Sequence, residues 1–312
     1  MSKRFFLLLI LVAVAALIIV PNTRALHEGI FFYLRDVLTY NPSAVKTISR
    51  DGRYASLYDL IRFRNSERLL YLQRQLTLPN VVVTQVPIPN SDLPSLFVTF
   101  KDATGPFTIY SAHYDKLFDD PDYQGASDNT AAVSTLLASV KALAQDGNGG
   151  NRAFLFTGEE EKGLRGSTAF VDYARAASRS IAVREVVNFD NLGRGKLAIR
   201  PSAPIPGFVF TIPFYGDFAY DGRDFRASPA YPLANARLTQ SLLRAQPDIV
   251  VYERFTALSD SNVFQQSGIE TVAISGDDMY YLEQTWHTYA DRVELLDERN
   301  LDRAFDLIMN NK

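Results

Sequence analysis

The sequence predicts an α/β fold: a mostly parallel, mixed central sheet covered by helices on both faces. Three observations carry this expectation. Short β-branched and aromatic runs alternate with stretches of helical period through the larger part of the chain. Several of those runs, such as Ala153–Thr157, are apolar without a polar alternate, as strands buried on both faces must be. Acidic or histidine-bearing segments follow the runs directly, and in open sheets the ligand crevice lies beyond the carboxyl ends of the strands.

Taken in order, the first element is an uncharged apolar run from Phe5 to Val20, preceded by Lys3 and Arg4 and closed by Pro21. Its sixteen residues fall between the ~7–15 of a signal peptide core and the ~17–25 of a membrane span. Residues 1–25 are therefore expected to be a signal anchor or signal peptide. Thr23-Arg24-Ala25 is the better-placed cleavage candidate. In either case the remainder of the chain is expected to face outward, anchored to the membrane through residues 5–20 or released into the periplasm or medium. Residues 26–79 read as a helical segment packed on the main domain: Leu60, Ile61, Phe63, Leu69, Leu70, Leu72 and Leu76 recur at three- and four-residue spacing among Arg, Glu and Gln.

Residues 80–312 form the expected α/β domain. Val81–Val86, Leu96–Phe100 and Phe107–Ser111 read as strands divided by Pro, Asn, Asp and Gly. Ala131–Ala144 reads as a helix, Ala153–Thr157 as a strand, Ser167–Ala176 as a helix and Val186–Phe189 as a strand. Leu233–Arg244 (helix), Ile249–Tyr252 and Thr271–Ser275 (strands) and Leu301–Met309 (helix) complete the pattern. Residues 201–232, rich in Pro, Gly and aromatic side chains, read as a loop lying as a lid over a cleft.

Composition narrows the function classes. The chain has 312 residues, a formal net charge of −3 and no basic stripe, so nucleic acid is not an expected partner. It has no cysteine, which excludes disulfides and thiolate metal sites and leaves oxygen and imidazole as the only metal donors. Only three histidines occur, and His27 adjoins the apolar segment, so a three-histidine site is excluded.

His113, Asp128, Glu161, Asp190 and His287 look like one divalent-metal site, because each closes a strand-like run or sits in a short loop. Asp115, two residues beyond His113, could orient that imidazole, since the ring nitrogen facing away from a metal commonly donates to an oxygen. Asp128 precedes a helix and could serve as its N-cap or bridge two cations. Glu159-Glu160-Glu161 follow an apolar strand, and adjacent carboxylates repel unless a cation or shared proton relieves them. Two imidazoles with several carboxylates suit zinc best.

The ordered motifs His113-Tyr-Asp115, Gly125-Ala-Ser-Asp128-Asn129, Glu160-Glu161-Lys-Gly163-Leu-Arg-Gly166-Ser167, Asn188-Phe-Asp190 and His287-Thr288 resemble the co-catalytic zinc exopeptidases. That family includes bacterial secreted leucyl aminopeptidases and glutamate carboxypeptidase II, with glutaminyl cyclases as divergent relatives. The resemblance implies that His113 and Asp190 hold one zinc, Glu161 and His287 another, and that Asp128 bridges them, with a cis peptide after Asp128. Alignment backwards from Gly163 makes Glu160 the general base and Glu161 the ligand; the alternative register uses Glu159 and Glu160.

The implied activity is hydrolysis of N-terminal residues from a peptide substrate, by a metal-activated water that Glu160 deprotonates, with two Zn2+ per chain. Tyr280 or Tyr281 is a further candidate for polarising the carbonyl, and Asp277 or Asp278 for meeting a free amino terminus. Two departures leave room for other readings. Ser261 stands where the family usually has a histidine, and Trp286 before His287 is reminiscent of the cyclases, which use a single zinc. A glutaminyl-peptide cyclotransferase is the alternative, followed by a non-catalytic receptor-like protein.

Overall fold

The computed structural model describes residues 24–41, 43–176, 181–200, 209–212, 216–220, 225–227, 236–252 and 258–311. The apolar run at residues 5–20 lies outside them. Among the described residues no helix is long and apolar enough to cross a membrane.

Among the described residues three helices come first: α1 (Arg24–Thr39), α2 (Ser56–Leu60) and α3 (Asn65–Gln75). The helical period expected across residues 27–78 is thus interrupted. Helix α1 ends two residues before Asn41-Pro42, and proline disfavours helical geometry in the residue before it. Then β1 (Val81–Val86), β2 (Ser95–Phe100) and β3 (Phe107–His113) lead to α4 (Ala131–Asp146), β4 (Arg152–Thr157), α5 (Arg165–Arg175), β5 (Val183–Phe189) and β6 (Leu197–Arg200). Next are β7 (Val209–Ile212), β8 (Gly216–Tyr220), β9 (Phe225–Ala227), α6 (Arg237–Ala245), β10 (Val250–Val251), α7 (Asp260–Gln266), β11 (Glu270–Gly276), α8 (Met279–Thr285) and α9 (Glu298–Asn310).

Eight strands form one mixed sheet in the order β1-β2-β4-β3-β5-β11-β6-β10. Its centre, β4-β3-β5-β11, is parallel throughout, and antiparallel pairs flank it on both sides. The period of two along each central strand divides the core between the two faces. Phe154 and Phe156 point to one face with Tyr110, Val187 and Phe189, under α4 and α9. Ala153 and Leu155 point to the other with Ile109 and Val186, under Phe170 of α5 and Phe264 of α7. Each buried side chain of this size contributes about 1.5–3 kcal/mol.

Register sets the position of the site. His113 pairs with Thr157, Ser111 with Asn188, and Phe189 with Ile274, so β3, β4, β5 and β11 end at one edge. The segments that follow these ends carry Asp115, the three glutamates, Asp190 and, through α8, His287.

The structure departs from the expected pattern in two ways. The described parts of the 201–232 stretch form a three-stranded antiparallel sheet, β7-β8-β9, rather than a loop. Its Val, Phe, Thr and Tyr content is strand-forming, and Pro and Gly only punctuate it. Strand β6 and helices α7 and α8 are additional. At four and seven residues they are too short for a period to declare itself against Gly193, Gly195 and the mixed polar sequence around them.

Candidate metal centre

The ends of the central strands gather the predicted residues. His113 Nε2 lies 3.1 Å from Asp128 Oδ1 and 3.7 Å from Asp190 Oδ1. His287 Nε2 lies 3.4 Å from Asp128 Oδ2 and 3.5 Å from Glu161 Oε2. Asp128 therefore turns one oxygen to each imidazole. Two triads share it: His113–Asp128–Asp190 and Asp128–Glu161–His287, with the potential donor atoms of each triad within 4.8 Å of one another. Glu160 lies within the same distance of His113 and Glu161.

Local backbone geometry makes this possible. Gly125 has φ of 52°, and a Cβ there would stand 2.6 Å from the Asp128 carbonyl oxygen, so the turn that feeds Asp128 requires glycine. The Asp128–Asn129 peptide is cis, and Asn129 Nδ2 donates to the Phe189 carbonyl at 2.9 Å. His287 itself has φ of 57°, directly after Trp286 closes α8. The Trp286 ring stacks on the His287 ring with centroids 4.2 Å apart.

Asp115 serves two groups at once. His113 Nδ1 donates to its backbone carbonyl at 3.1 Å. A carbonyl can only accept, so the proton sits on Nδ1 and Nε2 is turned towards Asp128 and Asp190. The Asp115 carboxylate accepts from the backbone N–H of Glu160 and of Glu161, each at 3.2 Å, and so fixes the turn that aims both glutamates. Glu159 is directed elsewhere: it pairs with Lys162 at 3.0 Å and with Arg165.

One buried acid escaped the sequence reading. Asp291 accepts from the backbone N–H of Ser127 at 2.8 and 3.0 Å and of Asp128 at 3.0 Å, and Tyr281 Oη donates to it at 3.4 Å. Burial raises its pKa to about 7. Nothing in its local sequence marks it, because its role exists only once the 125–130 turn folds against residue 291.

Tyr281 is thus committed to Asp291, while Tyr280 packs between Tyr33 and Tyr40 of the N-terminal segment. Asp277 accepts from Lys196 N–H at 2.7 Å and pairs with Arg35 at 3.2 Å, and Asp278 caps α8 by accepting from Tyr281 N–H at 2.9 Å. Each of the four thus has a partner outside the two triads. Ser261 belongs to a buried polar network in which Ser111, Asn188 and Ser259 are linked in series and Ser259 meets Ser261 at 2.9 Å.

The electrostatics are those of a cation site. Burial pushes Glu161 up to about 8, with Asp128 adding to it. Burial also raises Glu160 well above the usual range, further helped by Asp190, Asp260 and Glu161. Burial pulls the His113 pKa down, but Glu160, Asp115, Asp128 and Asp190 outweigh it and favour the protonated ring. The charge that would favour that proton favours a cation at Nε2 equally well. Glu161 Oε1 is buried and makes no hydrogen bond, a costly arrangement that a bound cation would relieve. Donors 2.0–2.1 Å from a tetrahedral zinc stand about 3.3 Å apart, and the contacts of 3.1 to 3.7 Å match that spacing. The donor set fits zinc. A cleft of about 640 Å³ opens beside Glu161, with Asn65, Leu93, Lys116 and Lys162 on its walls.

Comparison with known proteins gives the fold a context. The LapA aminopeptidase of Legionella pneumophila superposes with a TM-score of 0.57 at 18% identity, over 92% of this chain and 72% of that one. A glutaminyl cyclase from Bacteroides thetaiotaomicron superposes at 0.58 and 14% identity, covering 86% of this chain and 98% of its own. The zinc aminopeptidase BSAP of Bacillus subtilis gives 0.50 at 21% identity, with 70% and 49% covered. These likenesses show a shared fold. No curated protein sequence matches the chain. Residues 97–311, which include all seven of the predicted site residues, match peptidase family M28, and the chain belongs to that family.

Proposed function

We propose that the protein is a zinc-dependent aminopeptidase acting on peptides outside the cytoplasm. The observation that carries this is Asp128 shared between two imidazole–carboxylate triads, with Glu160 at their edge. His113 and Asp190 would hold one zinc, Glu161 and His287 a second, and Asp128 both. Bound zinc would polarise the scissile carbonyl and lower the pKa of a water.

The chain's own groups supply the rest. Glu160, at the edge of both triads, takes the proton from the attacking water and returns it to the leaving amine. Asp115 holds the Glu160–Glu161 backbone and the His113 ring in register. The cleft beside Glu161 receives the peptide.

Trp286, stacked on His287, favours a second reading, a glutaminyl-peptide cyclotransferase with one zinc. The full chain assayed on amino-acid 4-nitroanilides and on a Gln-initiated peptide separates the two. Chelator-sensitive release of nitroaniline without pyroglutamate formation supports the peptidase. Pyroglutamate formation without release replaces it by the cyclase, and neither product under any metal condition rejects both.

A further inference from the structure

We infer that the outward face of α1 is a lipid-contacting surface that seats the domain on the membrane. The helix is docked inside out. Tyr33, Arg35 and Asp36 face the protein. Arg35 Nη2 donates to the Asp277 carbonyl at 2.8 Å and its guanidinium pairs with the Asp277 carboxylate at 3.2 Å. Asp36 accepts from Met279 N–H at 2.6 Å, and Tyr33 Oη donates to Glu283 at 2.7 Å. Phe32 packs on Tyr252 with ring centroids 4.5 Å apart.

The opposite side carries the apolar residues. Phe31 is 66%, Leu34 53% and Leu38 84% exposed, and Val37 is exposed beside them. At 3.6 residues per turn, Phe31, Leu34 and Leu38 fall within a sector of about 60°. A helix on the surface of a soluble domain puts such a stripe towards the core and its charges towards water. A continuous apolar patch left outside marks an interaction site.

The sequence identifies the occupant. The uncharged run Phe5–Val20, behind Lys3 and Arg4, ends only four residues before Arg24, where α1 starts. Four residues of chain reach roughly 14 Å at most. A bilayer that takes up the run therefore brings α1 to its surface, where an apolar helical face settles into the headgroup boundary. Asp36 binds the start of α8 and Arg35 binds Asp277, two residues before it, and α8 ends at Trp286 beside His287. The lipid-facing helix and the outer imidazole are thus joined through one seven-residue helix, which fixes the height of the site above the membrane.

The absence of cysteine makes the test direct, since every introduced cysteine is unique. Leu34→Cys, Leu38→Cys and Lys101→Cys, in the full chain, are each labelled with a nitroxide and reconstituted in phosphatidylethanolamine–phosphatidylglycerol vesicles. Lys101 is exposed and follows β2, next to the edge strand β1 at the far side of the sheet from β10, so it reports water. The expected result is an oxygen-to-nickel-complex accessibility ratio several-fold higher at 34 and 38 than at 101. Equal ratios at all three positions on vesicle-bound protein overturn the inference and leave only a tether. Failure to float with the vesicles overturns it together with the anchor. Low access to both relaxers with dipolar broadening between labels assigns the stripe to a second copy of the chain.

Discussion

His113 and His287 approach Asp128 from opposite sides at similar distances, 3.1 and 3.4 Å, yet the chain builds the two halves differently. The His113 side chain is 3% exposed, ends a central strand, and has its tautomer set by the Asp115 carbonyl. Asp190, its partner, follows the neighbouring strand, with its own N–H held by Ile274 of β11. The His287 side chain is 35% exposed, sits in a left-handed turn after α8, and has Trp286 stacked against it. Sheet register preorganises the first half, whereas a surface turn positions the second. The lesson is that one cation should be held firmly and the other exchangeably, although the donor types are nearly alike.

The largest effect should come from Glu160, which lies beside His113 of one half and Glu161 of the other. Glu160→Gln is expected to lower turnover by about 10²–10⁴-fold with zinc content unchanged, whereas Glu159→Gln, which weakens contacts to Ser91, Lys162 and Arg165 outside the triads, keeps activity. Steady-state kinetics alongside metal analysis check this pair. Full activity in Glu160→Gln with a dead Glu159→Gln would reverse the assignment of base.

Next in size is the contrast between the halves. His287→Ala should lose one zinc and keep the other, while His113→Ala should lose the firmly held one and disturb both. Competition with a chromophoric chelator measures it, and equal losses in the two variants would remove the distinction. A smaller effect is expected for Asp115→Asn, which leaves the backbone carbonyl in place but weakens the hold on Glu160 and Glu161: about 10–100-fold in metal affinity. The same competition titration reads it, and unchanged affinity would show that the His113 ring alone is oriented there.

Core packing should matter least to chemistry and most to folding. Leu155→Ala, at a fully buried position on the α5 face, is expected to cost about 2–5 kcal/mol of stability. Urea unfolding should record this with kcat unchanged in the folded fraction.

The inner half was the more legible in the sequence. Strong apolar runs at Phe107–Ser111, Ala153–Thr157 and Val186–Phe189 announce central strands, and the residues just past them fall at the crevice edge by topology. The outer half depends on α8 and its left-handed exit, neither of which has a period to detect, and on Asp291, whose hydrogen bonds to Ser127 and Asp128 span more than 160 positions. For the same reason Asp277, Asp278, Tyr280 and Tyr281 read as site residues by proximity in sequence to His287. In the fold they tie α8 to α1, to Lys196 and to the 125–130 turn. The N-terminal helices were legible as amphipathic, but not that α1 would turn its charges inward, because which face docks is decided by Asp277 and Met279, far along the chain.

Zinc content during a graded chelator titration, with anomalous diffraction at the zinc edge, tests the two-half account most directly. The account predicts two zinc ions per chain, one between His113, Asp128 and Asp190 and one between Asp128, Glu161 and His287, the second released first. A single zinc in the native protein, or two released together, would contradict it.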